Sequence, residues 1–291
     1  MTAELRPASP TASIPASLDP WPSLDWLTAN LSQFTTGANG TGPRGIAKRS
    51  TELALTHAYL RAWVADGSLP AQPFAGRLQT WRDALRGQCD TREIPLDGLY
   101  VAQPYLWLRA AGERLPRWER ELDRLSRCGT RADSVGVLHC LWKAGVLRHQ
   151  PDWRAGLVRW LAAWGEHDNA LDHSAYRVTH AAFYVTDFGN EDAPVEPADR
   201  ERLAVLCERL LERWLPRERW DLVGELLIAL ACLDRDGPAY RDAEQAFAAA
   251  RAAQELTQGN GDEPFRRRYH VTLVDVLRCA AGLRRAVATE G

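Results

Sequence analysis

The sequence predicts an all-α protein: about a dozen antiparallel helices in an α/α-toroid-like arrangement, with an irregular α-solenoid as second choice. Three observations carry this. No run of alternating β-branched residues lies between turn signals, so strands are not expected. Apolar residues recur instead at helical spacing in one segment after another. The links between segments are mostly short, which pairs helices as antiparallel hairpins. No fixed repeat period survives counting, and tetratricopeptide, HEAT and ankyrin signatures are missing. That favours a closed toroid over a regular solenoid.

Residues 1–22, opening MTAELRPASPTASIPASLDP, are rich in Pro, Ala and Ser and read as a disordered or loosely attached arm. Residues 23–291 are expected to form a single helical domain, beginning with a helix over 23–34. The Gly-rich stretch TTGANGTGPRG (35–45) follows. It lacks the GK[ST] ending of a phosphate-binding loop and follows no strand, so it reads as a linker. Ser50 then caps a helix over 50–65, with Glu52 favourably placed in its first turn. Asp66-Gly67 stops that helix, and the pattern resumes over 73–87, 98–111, 116–127 and 132–147. Asp152 precedes WRAGLVRWLAAW, a helix over 153–164. The helix over 172–188 ends with Gly189 as its C-cap. NEDAPVEPAD (190–199) reads as a solvated connection before Pro197 opens a helix over 197–214 from its first position. Helices over 218–233, 239–257 and 265–285 complete the pattern, with Gly-containing turns at 236–237 and 258–264.

Net charge is −2, which argues against nucleic acid and anionic membrane as partners. No apolar run reaches the ~18 residues of a membrane span, and the N-terminus lacks the pattern of a secretory signal. The six cysteines have no CxxC or zinc-ribbon spacing, and reduced, buried thiols in the cytoplasm are expected. Only Lys48 and Lys143 are lysine among 36 basic residues, which reads as a high-GC bacterial genome. Of the 12 tryptophans, Trp63, Trp107, Trp142, Trp160 and Trp164 occupy expected core positions, although aromatic walls also line ligand cavities.

Polar residues on apolar faces need partners or a purpose, because burying them alone costs free energy. In AYRVTHAAFYVTDFGN (175–190), His180, Tyr184 and Asp187 are spaced along one helix face. Seven residues of helix rise ~10.5 Å, so they line a wall rather than grip one ion. Asp187, in the last turn and facing the wrong end of the helix dipole, is expected to have a raised pKa and to act as a general acid. In WDLVGELLIALACLD (220–234), Glu225 heads an apolar run and either bonds across to another helix or works in a pocket. Asp221 one turn earlier suits the helix N-terminus. Tyr269 and His270 open an apolar helix after Arg266, Arg267 and Arg268. His139 and Lys143 lie one turn apart on an apolar helix, and a rare lysine in an arginine-rich chain suggests a tunable ammonium. His57, His149, His167 and His173 are weaker candidates.

The segments THAAFYVTDFG and YHVTLV resemble an uncharacterised actinobacterial all-α family with a T-H-x-x-F-Y-x-T-D-F-G core and a later Y-H-x-T segment. His180, Phe183, Tyr184, Thr186, Asp187, Phe188 and Gly189 fill the first pattern, and Tyr269, His270 and Thr272 the second. The resemblance, from about residue 45 onward, implies a bacterial cytoplasmic protein in specialised-metabolite settings and names no activity. The chain is more weakly similar to α/α-toroid cyclases, in which an Asp protonates a polyprenyl chain. Asp187 would be that acid, but the DxDD motif is absent.

The expected function is therefore an enzyme of bacterial specialised metabolism with a polar pocket inside a helical toroid, acting on a small or partly apolar substrate. Asp187, His180, His270, Glu225 and Tyr184 are the expected catalytic residues, and His139, Lys143, Tyr269 and Asp221 the binding residues. Acid/base chemistry and metal-assisted chemistry are both open. A divalent metal, if present, would use His180, His270 and Glu225, although no HExxH or Glu-x-x-His spacing occurs. The rival expectation is a non-catalytic helical module that binds a partner protein or peptide.

Overall fold

Prolines mark the helix starts. Pro43, Pro116, Pro197, Pro238 and Pro264 each open a helix, where the missing N–H has no partner to lose. The computed structural model describes residues 14–36, 43–91, 99–127, 135–147, 156, 172–190, 196–256 and 264–290. They form twelve α-helices and, among the described residues, no strand. The helices are α1 (Trp21–Ala29), α2 (Leu31–Thr35), α3 (Pro43–Ala65), α4 (Ala71–Thr91), α5 (Leu99–Ala110) and α6 (Pro116–Arg127). Then follow α7 (Val135–Lys143), α8 (Asp172–Thr186), α9 (Pro197–Trp214), α10 (Trp220–Cys232), α11 (Pro238–Ala252) and α12 (Pro264–Glu290). The all-α class is as expected. The helix expected over 153–164 lies, but for residue 156, outside the described residues, as do the central parts of the stretches 35–45, 190–199 and 258–264 and residues 1–13.

Most boundaries shift by a few residues from the sequence reading, and three of the differences bear on the site. The first expected helix is two, broken at Asn30, whose side-chain amide donates to the Trp26 carbonyl at 2.8 Å. Helix α3 starts at Pro43, so Ser50 is no N-cap. It is buried in the helix interior, where its hydroxyl donates to the Ile46 carbonyl and accepts from Gln88 Nε2 at 2.9 Å. Helix α8 stops at Thr186, two residues early.

Helix packing runs in a circuit: α3 packs on α5, α5 on α7, α7 on α8, α8 on α10, α10 on α12, and α12 back on α3. Helices α4, α9 and α11 pack outside it, α4 on α3 and α5, α9 on α8 and α10, and α11 on α9 and α10. Every residue of α10 is buried, as a helix apolar on all sides requires. Gly224 brings α10 close to its neighbours: a Cβ there would run into Val274 of α12 and Phe247 of α11. The described end of the N-terminal arm is tied down. Arg251 donates to the carbonyls of Ala16 (2.6 Å) and Asp19 (2.7 Å), and Arg278 to that of Ser17 (2.9 Å). Cys140, Cys207, Cys232 and Cys279 are buried free thiols, and Cys89 is buried too. No described helix is long and apolar enough to cross a membrane.

Candidate functional site

The circuit encloses a cavity of about 310 Å³, and each of its six helices contributes to the lining. Helix α3 supplies Lys48, Glu52 and Leu55, α5 Trp107, and α7 Gly136. Helix α8 supplies His180, Phe183 and Tyr184, α10 Glu225 and Ile228, and α12 His270, Leu273, Val274 and Leu277. Phe188, just beyond α8, completes the wall. Most of this surface is apolar, and the polar residues form one row across it.

Glu225 anchors the row. It is 3% exposed, accepts a hydrogen bond from Thr179 Oγ1 at 2.5 Å, and faces His270 Nε2 at 3.2 Å. His180 Nε2 lies 3.8 Å from its other side. Beyond His270, Nδ1 faces Glu52 Oε1 at 3.8 Å, and Lys48 Nζ stands 3.7 Å from the same oxygen. Lys48, Glu52, His270, Glu225 and His180 therefore alternate in charge-bearing type. The two ends, Lys48 and His180, are the exposed members, with side chains 58% and 49% accessible.

Burial disfavours charge on His270, but its hydrogen bond to Glu225 and the Glu52 carboxylate outweigh this and raise its pKa to about 10. Burial likewise opposes ionisation of Glu225. The His270 hydrogen bond, the two imidazoles and Thr179 still hold its carboxyl below the usual range. Glu52 is lowered on the same balance, burial against His270 and Lys48. Burial, and then Glu225, push the Tyr184 phenol well up, so it stays protonated. Glu52 Oε2 and His270 Nδ1 are buried with no hydrogen-bond partner. A buried polar atom left unsatisfied costs about 1–3 kcal/mol, which a polar ligand in the cavity would relieve.

Of the expected site residues, His180, Tyr184, Glu225 and His270 thus meet on one cavity. Asp187 does not, and its expected role as a general acid is corrected. Helix α8 ends in a left-handed turn that starts at Asp187 (φ 47°), continues through Phe188 (φ 54°) and reaches Gly189 (φ 78°). Gly189 is the third residue of the turn rather than the cap. The turn swings Asp187 off the His180–Tyr184 face and one layer behind the cavity wall. There it is 1% exposed and accepts from Tyr59 Oη at 2.7 Å, Lys143 Nζ at 2.6 Å and Asn190 Nδ2 at 3.4 Å, with His139 Nε2 at 3.0 Å. Burial raises its pKa, but His139 and Lys143 overcome this and hold the carboxyl below the usual range. An aspartate so held is a fixed anion, not a proton donor. These bonds also offset the left-handed backbone, which costs about 1–2 kcal/mol per residue outside glycine.

His139 and Lys143, expected to bind ligand, are corrected with Asp187: both are spent on that carboxylate, and neither lines the cavity. Tyr269 is not in the cavity lining: it stacks on Phe265 (centroids 5.3 Å apart) and meets Phe34 edge-on (5.8 Å), while its side chain helps to hold the Glu52 carboxyl low. Asp221 is buried beneath the Tyr176 hydroxyl, with Arg219 Nε at 3.7 Å. His57 is buried and neutral: burial first, then Arg61, lowers its pKa to about 4. His149 and His167 lie outside the described residues. Among the described residues, no group of three or more His, Cys, Asp or Glu is arranged to hold a metal ion. His180, Glu225 and His270, the set expected to hold such an ion, do meet on the cavity wall, with the His270 imidazole between the Glu225 and Glu52 carboxylates.

Sequence reasoning missed Glu52 and Tyr59. Had α3 been started at Pro43, Lys48, Glu52, Leu55, Tyr59 and Trp63 would have fallen on one face, a polar and aromatic stripe like that of α8. No curated protein and no solved structure matches the chain. A family model described as a domain of unknown function, DUF6895, matches residues 22–280, and the chain belongs to that family.

Proposed function

We propose that the protein is an enzyme that moves a proton on a small, partly apolar substrate held in the central cavity. What carries the reading is the meeting of His180, Tyr184, Glu225 and His270 on one otherwise apolar cavity of about 310 Å³. In this reading His180, half-exposed to the cavity, is the general base. It takes a proton from a substrate O–H, N–H or C–H, and the Glu225 carboxylate stabilises the imidazolium that results. His270 and Thr179 fix Glu225, and the protonated Tyr184 donates to the oxygen on which charge develops. The row Lys48–Glu52–His270 balances the charge of the wall.

We further assign the helical circuit to an α/α toroid, and the protein to an actinobacterial, cytoplasmic setting in specialised metabolism. The toroid is supported by the closed order of helix contacts, and the setting by the sequence resemblance. The rival reading, a module that docks a protein or peptide, calls for an exposed apolar groove. Among the described residues Val287, 50% exposed, is the one large hydrophobe with such exposure.

The test is a ligand-observed NMR screen of small amphiphilic compounds on the wild type, His180→Ala and Glu225→Gln. Compounds that bind the wild type and weaken at least tenfold in both folded variants support the reading. Hits indifferent to both substitutions, or no hits at all, overturn it.

A further inference from the structure

The same helices that line the central cavity continue past it. Along α3, Lys48, Glu52, Leu55, Tyr59 and Trp63 share a face, and along α12, His270, Val274, Leu277 and Arg284 do the same. Glu52 and Trp63 are ~16 Å apart along their helix, and His270 and Arg284 ~21 Å along theirs. Both faces therefore leave the cavity and arrive at a second one, of about 630 Å³, at the other end of the helical circuit. Its lining includes Asp66, Ser68, Phe188, Asn190, Arg200 and Arg284. Phe188 belongs to both cavities and is the partition between them.

Arg284 is the unusual group here. Its guanidinium carbon lies over Trp63, 4.6 Å from the ring centroid, and its Nε donates to Ser68 Oγ at 3.1 Å. Trp63 is itself fixed by donating from Nε1 to Asn190 Oδ1 at 2.6 Å. The Trp63 ring and the Ser68 bond hold the guanidinium from two sides, yet no carboxylate among the described residues lies within 4.0 Å of it. Arg284 lines the cavity, with Nη1 beside Gly189. The neighbouring charges are already paired: Arg200 with Asp234 at 2.6 Å, Arg285 with Asp236 at 3.5 Å, while Asp66 accepts from the Ser68 backbone N–H at 2.9 Å. Burial pulls the pKa of Arg284 below its usual value against the pull of Asp66, the mark of a cation short of a partner.

We propose that this second cavity is an oxyanion site, in which Arg284 receives a carboxylate or phosphate group on its preset fork. A planar guanidinium held on an aromatic face and by a side bond offers two parallel N–H donors, the geometry that both oxyanions match. The chemistry is independent of the proton transfer proposed for the central cavity.

Isothermal titration of the full chain with inorganic phosphate and, separately, with acetate, each against sodium chloride of equal ionic strength, tests it. One saturable site for at least one of the two anions is expected, and which anion binds identifies the group. Arg284→Gln should weaken it at least tenfold. Arg284→Lys, which keeps the charge but not the fork, should weaken it less, and exposed Arg202→Gln not at all. Circular dichroism checks that each variant is folded, and the lysine variant carries the test if the glutamine variant is not. Affinity unchanged in both Arg284 variants, or equally reduced in Arg202→Gln, overturns the proposal, as does the absence of saturable uptake of either anion.

Discussion

Replacing His270 by glutamine should make the protein's stability less sensitive to alkaline pH. The imidazole lies between Glu225 and Glu52, and its pKa rises from an ordinary 6.5 to about 10 in the folded protein. A group whose folded pKa is raised contributes stability that is complete below its unfolded pKa and is lost as pH climbs through the folded value. The window is therefore pH 6.5 to 10. Linkage limits the slope there to about 1.4 kcal/mol per pH unit, or about 5 kcal/mol in all. Relaxation and water at the cavity reduce what is realised, and an exchange of about 3 kcal/mol is expected, at the low end of the ~3–5 kcal/mol that breaking a buried ion pair costs. Urea unfolding of the wild type and His270→Gln at pH 6.5, 8 and 9.5 reads it directly. The stability difference should be largest at pH 6.5 and shrink steadily with alkalinity. Titrating groups that do not touch the His270 imidazole cancel between the two proteins, and a difference that stays flat across the window would mean that His270 is neutral when folded. The alternating row would then be wrong.

Three further outcomes follow from the packing. Asp187→Asn leaves Lys143 facing an amide and should cost about 3–5 kcal/mol in urea unfolding at neutral pH; a loss under about 1 kcal/mol would show that the buried cluster adds little. Gly224→Ala gains about 1 kcal/mol of helix propensity but drives a methyl into Val274 and Phe247, so a net loss of about 1–2 kcal/mol is expected, and a thermal midpoint equal to or above the wild type's would refute the close packing of α10. His57 is held neutral with a pKa lowered to about 4. Its contribution is complete above pH 6.5 and is lost as pH falls toward 4, so His57→Gln should flatten the acid limb of the stability profile, and an unchanged limb would place the acid sensitivity elsewhere.

The parts of this site legible in the sequence are those where a polar residue interrupts an apolar helical face. His180, Glu225 and His270 stood out that way, because an unpartnered polar group in a core is costly enough to demand a reason. Asp187 was found by the same rule and misassigned by a local one. Glycine is the usual residue for a left-handed helix end, so Gly189 looked like the cap. The turn in fact begins at Asp187, whose bonds to Tyr59, His139 and Lys143 outweigh its backbone strain. Those partners come from α3 and α7, and nothing local in the sequence announces them. Glu52 was hidden because Ser50 and Glu52 together imitate a helix start, while Pro43 is the start. Arg284 is one arginine in a chain full of them. Only the fold shows that Trp63, from the far end of α3, lies under it.

The central claim is that the cavity inside the helical circuit is where the substrate sits. Its most direct test is Ile228→Trp, which adds bulk to the cavity from the wall of α10 and leaves every residue of the polar row in place. Binding of a compound that requires His180 and Glu225 should be measured on this variant by ligand-observed NMR, alongside its thermal midpoint. The expected result is a folded protein, with a midpoint within a few degrees of the wild type, that no longer binds. Undiminished binding by the folded variant would contradict the claim and place the ligand elsewhere on the molecule.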